Sequence, residues 1–492
     1  MLGFAIRTLS LGPVARMDPE RVAAVQARRF KRLVALAVER SPFYREKYRG
    51  IDLSSATVRD LPTTNKAELM ENFEDALTDR SIRRSDLESF LDCRENEGRL
   101  FLNRFAPSHT SGSQGQAMLM VQEQRTLELM FGLQMTRGNV RRATPVEAVK
   151  RAFQPARLAV VTLKKGFYPS ASAFEYMPSV AKRFVRVLRL SQTDRDVIDR
   201  LNAFRPTILT AYAGVLEELA GHAEAGRLDL APELIQVVNN SEVLTDRAKA
   251  RIEAAFGRKV LNNYATGECP FLSNGCPTDD GAHVNADWAI LEVVDEQNRP
   301  VPAGTPGKKV LITNLANTVQ PFIRYEVGDL ATLAATRCGC GSLLPRVERI
   351  DGRAADSFWI KDGGTYRQMI NSVFKNAFDY TREVREWQAI QLERNRIKVR
   401  LELLPGRTLD EAHAWSALNR QLGDYGYLGI VDVSLEIVPR LDADAKSGKF
   451  KRIVSLIGPP EGTTHRIDAA DGHRPMGIHA DSVTTRTAVH PA

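Results

Sequence analysis

Hydroxyl side chains and glycines are concentrated in one short segment of this chain, Ser108-His109-Thr110-Ser111-Gly112-Ser113-Gln114-Gly115-Gln116. Glycine lets a backbone come close to a ligand, and backbone amides together with hydroxyls can face phosphate oxygens. The segment lacks the Gly-Lys-Ser/Thr ending of the Walker loop, so it is not that motif. Taken alone, the same composition is also typical of a solvent-exposed turn. The segment therefore indicates either a phosphate-binding loop or a surface turn.

Cysteine and histidine side chains form a second group that could do chemistry. Six residues separate Cys276 from His283, and Cys338-Gly339-Cys340 follows later. Three cysteines and one histidine are a set that Zn²⁺ accepts in tetrahedral geometry, although this spacing is not that of a zinc finger. Unconnected buried thiols and a surface histidine are the alternative. Cys269 competes as a ligand, and Cys93 is interpreted as a core residue.

Four more motifs follow the hydroxyl-rich segment in a fixed order. They are Asn262-Asn263-Tyr264-Ala265-Thr266-Gly267-Glu268, Arg324-Tyr325-Glu326-Val327-Gly328-Asp329-Leu330, Ile350-Asp351-Gly352-Arg353 and Ser447-Gly448-Lys449-Phe450-Lys451-Arg452. Together with Thr110-Ser111-Gly112-Ser113-Gln114-Gly115, this series resembles the signatures of the adenylate-forming superfamily, which contains acyl-CoA synthetases and peptide-synthetase adenylation domains. The resemblance implies a layered α/β adenylation domain followed by a small mobile α+β domain.

The beginning of the chain is similar to one branch of that superfamily. Ser41-Pro42-Phe43-Tyr44-Arg45, followed by Leu61-Pro62-Thr63-Thr64-Asn65-Lys66, resembles the opening of phenylacetate-CoA ligases and of their coenzyme F390 synthetase-like and capsule-biosynthesis-like relatives. Those relatives carry a Cys-x-Cys-Gly similar to the segment beginning at Cys338, and many of them bind zinc. The resemblance therefore favours a structural zinc site, with no open position for water.

The resemblance also implies a role for each matching residue. ATP, Mg²⁺ and a carboxylic acid would meet in one site, where two anions must be neutralised and aligned. Phosphate binding is implied for Thr110, Ser111, Gly112, Ser113 and Gly115, and Mg²⁺ binding for Glu268. At the nucleoside, the resemblance implies adenine stacking by Tyr264, lining of the base by Asn240, Ser241 and Glu242, nucleotide binding by Thr266 and ribose binding by Asp329. It also implies contact of Arg353 with the ribose or phosphate, and contact of Lys449 with the α-phosphate and the carboxylate.

Three positions depart from the pattern and keep alternatives open. The loop lysine of the family is Gln116 here, its Tyr-Gly is Tyr264-Ala265, and its paired hinge aspartates are Ala355-Asp356.

The first hypothesis is an acid–CoA ligase that acts on an aromatic or other small organic acid. The second is an amide ligase with an amine acceptor, and the third is a degenerate nucleotide-binding protein that senses or scaffolds. Aromatic residues between Lys164 and Tyr176 could line the acid pocket or belong to the core.

Hydrophobic patterning predicts the elements that must hold these residues. An amphipathic helix is expected over Pro19–Glu39, where apolar residues recur at helical spacing. Further on, strands alternate with helices, which favours an α/β layered domain. The expected strands are 158–162, 207–210 and 234–238, and the expected helices are 194–204, 214–225 and 245–256.

Strand-like runs at 289–295 and 308–315 suggest a β subdomain at about 285–350 of an N-terminal domain spanning 1–352. A C-terminal domain is expected over 353–457, with strands 397–404 and 431–438 around a helix 409–422, and then a disordered tail over 458–492.

Composition sets the remaining expectations. Lys and Arg number 68 against 60 Asp and Glu, a net charge of +8 that is spread along the chain and favours anionic ligands over nucleic acid. No apolar run reaches the length of a membrane span, and five cysteines are too few for a disulfide scaffold. We therefore expect a cytoplasmic protein without membrane or nucleic-acid partners, and a homodimer would be compatible with the branch.

Overall fold

The computed structural model describes residues 11, 13–110, 117–137, 155–162, 166–177, 182, 184–191, 194–230, 232–240, 244, 246–353, 357–369, 372–378, 381, 383–442, 450–458, 460 and 486–487. They form two compact units, one built mainly from residues up to 350 and the other mainly from residue 351 onward. The fold is of the α/β class, as the sequence predicts.

The first unit opens with the expected amphipathic helix, Pro19–Arg40 (α1). The Asp18 carboxylate caps it by accepting a hydrogen bond from the Glu20 amide at 2.8 Å, and Pro19 suits the first helical position. The other α-helices described in this unit are Pro42–Lys47 (α2), Lys66–Glu71 (α3), Phe73–Ala76 (α4), Arg84–Asp92 (α5), Gln124–Arg137 (α6), Pro169–Ser172 (α7), Val197–Phe204 (α8), Ala213–Glu224 (α9) and Asp246–Phe256 (α10).

Two sheets of the first unit matter for the site. A hairpin pairs Phe105–His109 (β1) with Leu119–Glu123 (β2) antiparallel. A five-stranded parallel sheet is built from Ala156–Thr162 (β3), Val185–Ser191 (β4), Ile208–Ala211 (β5), Gln236–Asn239 (β6) and Val260–Asn262 (β7), in the order β4-β3-β5-β6-β7. Helices α8, α9 and α10 lie between successive strands of the chain and pack on the sheet through an apolar core. The three predicted strands and the predicted helices match this sheet within a few residues, but β4, β7 and the hairpin were not anticipated.

A β-rich region completes the first unit. Its strands are Ser273–Gly275 (β8), Ala282–Val284 (β9), Ala289–Val294 (β10), Lys309–Asn314 (β11), Tyr325–Glu326 (β12), Asp329–Leu333 (β13) and Arg346–Arg353 (β14). They form one sheet of order β10-β11-β12 and another of order β13-β14-β9-β8.

The second unit has its own hydrophobic core, which includes Trp387 and Phe374. Its elements are Phe358–Asp362 (β15), Thr365–Met369 (β16), Ser372–Phe378 (α11), Val384–Glu393 (β17), Arg396–Leu403 (β18), Glu411–Asp424 (α12), Asp432–Val438 (β19), Ile453–Ser455 (β20) and Arg486–Thr487 (β21). The main sheet has the order β20-β17-β18-β19-β21. The two predicted strands and the predicted helix are present. Apart from residues 458, 460 and β21, the expected tail lies outside the described residues.

Within the ranges given above, no helix is both long enough and apolar enough to cross a membrane.

Candidate active site

The hydroxyl-rich segment begins in β1, with Ser108 and His109, and continues into the loop between β1 and β2. At its base the Thr110 amide donates to the Met118 carbonyl at 3.0 Å, and the Met118 amide donates to the Thr110 hydroxyl at 2.9 Å. Both ends of the loop are therefore held together by hydrogen bonds that continue the ladder of the hairpin. Four of the predicted phosphate-binding residues, Ser111, Gly112, Ser113 and Gly115, lie outside the described residues, as does Gln116.

The motif predicted to bind adenine follows the carboxyl ends of the parallel strands. Asn263 directly follows β7, and its amide donates to the carbonyl of Asn239, the last residue of β6, at 3.1 Å. In open α/β sheets, ligands bind in the crevice outside these carboxyl ends. Asn240 follows β6 at the same edge, while Ser241 and Glu242 lie outside the described residues.

Tyr264 and Asp329, two predicted nucleotide ligands that are far apart in sequence, are in direct contact. The Tyr264 hydroxyl donates to Asp329 Oδ2 at 2.8 Å. Tyr264 is buried, and Asp329 is the first residue of β13. Gly328 precedes it with a φ of +73°, a conformation that favours glycine. The structure thus brings together the motifs around Tyr264 and Asp329.

Glu268 lies in a tight turn beside the hairpin. The Cys269 amide donates to the carbonyl and to the hydroxyl of Thr266, each at 3.1 Å. A Cβ on Gly267 would lie 2.8 Å from Met120 Cε, so this glycine lets the turn approach β2 closely. Glu268 is only 8% exposed, and its carbonyl accepts a hydrogen bond from Asn314 Nδ2 at 2.7 Å. The Mg²⁺ candidate and the strand that leaves the phosphate loop are therefore neighbours.

The arginine of the motif that contains Asp329 has a structural role. Arg324 is buried and pairs with Glu292, with nitrogen–oxygen distances of 3.2 and 3.1 Å, and it also donates to the Leu61 carbonyl at 2.8 Å. Both partners are nearly fully buried, so removing either one would leave an uncompensated charge.

The two opening motifs dock on the segment that leads to Asp329. The Tyr44 hydroxyl donates to the Pro321 carbonyl at 2.6 Å. The Thr64 amide donates to the Arg324 carbonyl at 3.0 Å, and the Glu326 amide returns a bond to the Thr64 carbonyl at 2.9 Å. The second opening motif therefore supports the segment that leads to Asp329 through backbone pairing at Thr64, a contact that the sequence did not indicate.

The structure does not describe the side chains of two predicted catalytic residues, Arg353 and Lys449. Arg353 is the last residue of β14, but its side chain is outside what the structure describes. Lys449 lies outside the described residues, and so does the Ala355-Asp356 pair.

The four predicted zinc ligands form one cluster. The potential ligand atoms of Cys276, His283, Cys338 and Cys340 all lie within 4.8 Å of one another. Sγ of Cys276 lies 3.3 Å from Sγ of Cys338, Sγ of Cys338 lies 3.2 Å from Sγ of Cys340, and Sγ of Cys340 lies 3.3 Å from His283 Nε2. A tetrahedral site with Zn–S bonds of about 2.3 Å separates its sulfurs by about 3.8 Å, so modest adjustment would accommodate the ion.

The surroundings of the cluster suit a cation. His283 Nδ1 lies 3.3 Å from the Leu344 carbonyl, which leaves Nε2 facing the thiols. Backbone amides of Thr278 and Asp279 approach Cys276 Sγ at 3.4 and 3.3 Å. Burial opposes ionisation of Cys276, yet the hydrogen bonds from His283 and from these amides lower the pKa of its thiol to about 6. The donor set therefore favours at least one thiolate, which is the form that binds metal.

The two remaining cysteines and the aromatic residues between Lys164 and Tyr176 differ in burial. Cys93 is exposed at the end of α5, so its interpretation as a core residue was wrong; the polar residues that surround it in sequence make it a surface position. Cys269 is fully buried, is not a member of the described metal cluster, and has a thiol whose pKa is raised by burial. Phe167 and Tyr176 are buried, which favours the core interpretation for both.

Comparisons with known proteins complete the description of the site. No protein-family model matches the chain. Phenylacetate-coenzyme A ligase of Thermus thermophilus is 25% identical over 373 residues, which are 72% of this chain and 75% of that protein. Protein CapK of Staphylococcus aureus is 27% identical over 137 residues, 28% of each chain. The fold matches 2-hydroxyisobutyryl-CoA ligase in complex with 2-HIB-AMP, with a TM-score of 0.66 and 21% identity over 90% of this chain and 91% of that one.

Proposed function

We propose that this chain belongs to the adenylate-forming superfamily, in its phenylacetate-CoA ligase-like branch, and that it activates a carboxylic acid with ATP and transfers the acyl group to coenzyme A. The acid we expect is aromatic or another small organic acid. The observation that carries the proposal is the contact between Tyr264 and Asp329 at the carboxyl edge of the parallel sheet.

The nucleotide-binding half of the proposal rests on that contact. Tyr264 offers a buried ring next to the sheet edge, where an adenine could stack. The Asp329 carboxylate would accept hydrogen bonds from the ribose hydroxyls, and the Tyr264 hydroxyl orients it for that purpose. Thr266, Ser241 and Glu242 would complete the nucleoside site.

The first half-reaction joins two anions. An oxygen of the acid attacks the α-phosphorus of ATP, the bond to the bridging oxygen breaks, and pyrophosphate leaves. Bound Mg²⁺ would screen the phosphates, and Glu268 is the proposed carboxylate ligand. The loop from Thr110 to Gly115 would hold the β- and γ-phosphates through amides and hydroxyls. Lys449 would supply positive charge at the transition state, with Arg353 at the ribose or phosphate.

The second half-reaction would form a thioester. The sulfur of coenzyme A attacks the acyl carbonyl, a carbon–sulfur bond forms, the bond to the phosphate oxygen breaks and AMP leaves, while the thiol proton passes to solvent. An amine could attack the same acyl-AMP and give an amide, so the acceptor has to be tested directly.

We assign a structural zinc ion to Cys276, His283, Cys338 and Cys340. Three sulfurs and one nitrogen supply all four ligands, which leaves no position for a reacting water. The ion would tie β9 to the loop between β13 and β14, and β13 begins at Asp329.

The test of the function has two steps. Acid-dependent exchange of labelled pyrophosphate into ATP is measured over a panel of aromatic and small aliphatic acids, and exchange with at least one acid is expected. Coenzyme A or amines are then added, and the product is identified by mass spectrometry. No exchange with any acid would leave only nucleotide binding, and an amide in place of a thioester would make the chain an amide ligase.

A further inference from the structure

Three buried amide side chains connect the phosphate-loop hairpin to the turn that carries Glu268. They are Asn314, Asn317 and Gln320, which are at most 2% exposed and which we call the amide bridge. None of them belongs to the motifs that define the proposed function.

One side of the amide bridge replaces a missing strand. Among the described residues the β1–β2 sheet has two strands, so in that part of the chain the outer edge of β2 has no backbone neighbour in the sheet. Gln320 Oε1 accepts from the Val121 amide at 2.9 Å, and Gln320 Nε2 donates to the Leu119 carbonyl at 3.0 Å. Asn317 Nδ2 donates to the Val121 carbonyl at 3.0 Å. These groups are buried, and leaving them unpaired would be costly.

The other side of the bridge holds the Glu268 turn. Asn314 Nδ2 donates to the Glu268 carbonyl at 2.7 Å. Asn314 Oδ1 accepts from the amides of Ala316 and Asn317, both at 3.0 Å, so its orientation is fixed by the chain that leads to the hairpin contacts. Gln122 on β2 adds a longer contact from its Nε2 to the Gly267 carbonyl at 3.4 Å.

We propose that Asn314, Asn317 and Gln320 are positioning residues that fix β2, the strand after the proposed phosphate loop, against the turn that carries Glu268, and so preset the site for magnesium-bound ATP. This inference rests on the proposed function. The physical reason is that a metal bridging a carboxylate and phosphates tolerates little error in the positions of its ligands. Backbone pairing cannot supply this connection, because β2 meets the Glu268 turn only through side chains in the contacts described above.

The experiment uses Asn314→Asp in the full chain. Aspartate has nearly the same shape and keeps the oxygen that accepts from Ala316 and Asn317, but at mildly alkaline pH it loses the donor to the Glu268 carbonyl. Asn202→Asp is the matched control, because Asn202 also donates to a carbonyl, that of Arg227 at 2.9 Å, and accepts from an amide, that of Asp229 at 3.0 Å. Gln320→Glu is a second test variant, which keeps the bond from Val121 and loses the donation to Leu119.

Binding of ATP is measured by calorimetry over a magnesium titration, so that no acid substrate is needed. We expect Asn314→Asp and Gln320→Glu to weaken magnesium-dependent ATP binding about tenfold, which corresponds to the loss of one buried hydrogen bond. Binding without magnesium and binding by Asn202→Asp should stay at the wild-type level. In a Glu268→Gln background, Asn314→Asp should have no additional effect, because it acts through Glu268.

The outcomes distinguish a failure of the positioning role from a failure of the proposed function. If the wild type binds magnesium-bound ATP and folded Asn314→Asp and Gln320→Glu bind it equally well, the positioning role is overturned and the proposed function stands. The positioning role is also overturned if the variants lose only thermal stability, or if the effect of Asn314→Asp is unchanged in the Glu268→Gln background. A wild type without affinity for magnesium-bound ATP would overturn both.

Discussion

At the scale of residues, Asp329 is the clearest test of the nucleotide site. Asp329→Asn keeps the shape of the side chain but removes the charge that strengthens hydrogen bonds to the ribose hydroxyls. We expect ATP affinity to fall about tenfold or more, since a hydrogen bond to a charged group contributes about 1.5–3 kcal/mol. Calorimetry with ATP measures this.

Tyr264→Phe is the companion to that variant. It removes only the hydroxyl that donates to Asp329, and it keeps the ring and the charge of Asp329. A loss of ATP affinity of a few fold at most is therefore expected. If Asp329→Asn bound ATP as well as the wild type, Asp329 would not be a ribose ligand.

Lys449 is predicted to act on the reaction more than on binding. Lys449→Ala removes the charge proposed to stabilise the transition state, and removing such a group typically lowers kcat by about 10²–10³. ATP affinity should change little. Pyrophosphate exchange at saturating ATP measures the effect, and Lys446→Ala, three residues earlier, is the control. Equal losses in both variants would point to a general effect of positive charge.

Motifs in the sequence indicate the proposed ligand residues, whereas no motif indicates the residues proposed to position them. Tyr264, Glu268 and Asp329 belong to motifs with recognisable residue types, and the structure places two of them in contact. Asn314, Asn317 and Gln320 were missed because buried amides have no fixed spacing. Their only signal is a density of Asn and Gln among the apolar residues from Asn314, the last residue of β11, to Arg324. Such amides are rarely buried unless they are hydrogen-bonded.

At the scale of elements, the close contact between β7 and β8 gives a stability prediction. A Cβ on Gly275 would lie 2.8 Å from the Asn262 amide nitrogen and 3.0 Å from the Leu261 carbonyl carbon, both of which are backbone atoms. Gly275→Ala is therefore expected to lower the free energy of unfolding by about 1–3 kcal/mol, because the strand must shift.

Denaturant unfolding is the measurement for Gly275→Ala. Gly364→Ala is the control, since a Cβ there has no atom within 4 Å, and it should be close to neutral. A stability of Gly275→Ala within a few tenths of a kcal/mol of the wild type would show that β7 and β8 can separate freely.

Elements with a continuous apolar run were predictable, and those with mixed patterns were not. β3 is a buried apolar run, and it was expected. β4 was missed because Arg186 and Arg189 interrupt its apolar residues, which a strand at the edge of the sheet tolerates. The β1–β2 hairpin was missed because its loop is longer than the tight turns that identify hairpins. Tertiary packing decides whether segments with such mixed patterns form strands, and local patterns in a single sequence do not reveal that packing.

At the scale of the whole molecule, each of the two units has hydrophobic core residues of its own. The second unit buries its own set around Trp387, while the metal cluster belongs to the first. A structural zinc ion contributes directly to the stability of the part that it binds. Removing the metal should therefore act on the first unit.

Zinc removal tests this division. Metal analysis of the purified chain should find about one zinc ion per molecule, in keeping with four ligands in one cluster. A strong chelator, or Cys338→Ser, should lower the thermal transition of the first unit and weaken ATP binding, because β13 begins at Asp329 and leads to Cys338. Cys93→Ser, at an exposed cysteine outside the cluster, should change neither the thermal transition nor ATP binding.

Differential scanning calorimetry measures the thermal transitions of the two units. A zinc-free protein with wild-type transitions would contradict the zinc assignment, and a fall in both transitions would show that the second unit also depends on the metal.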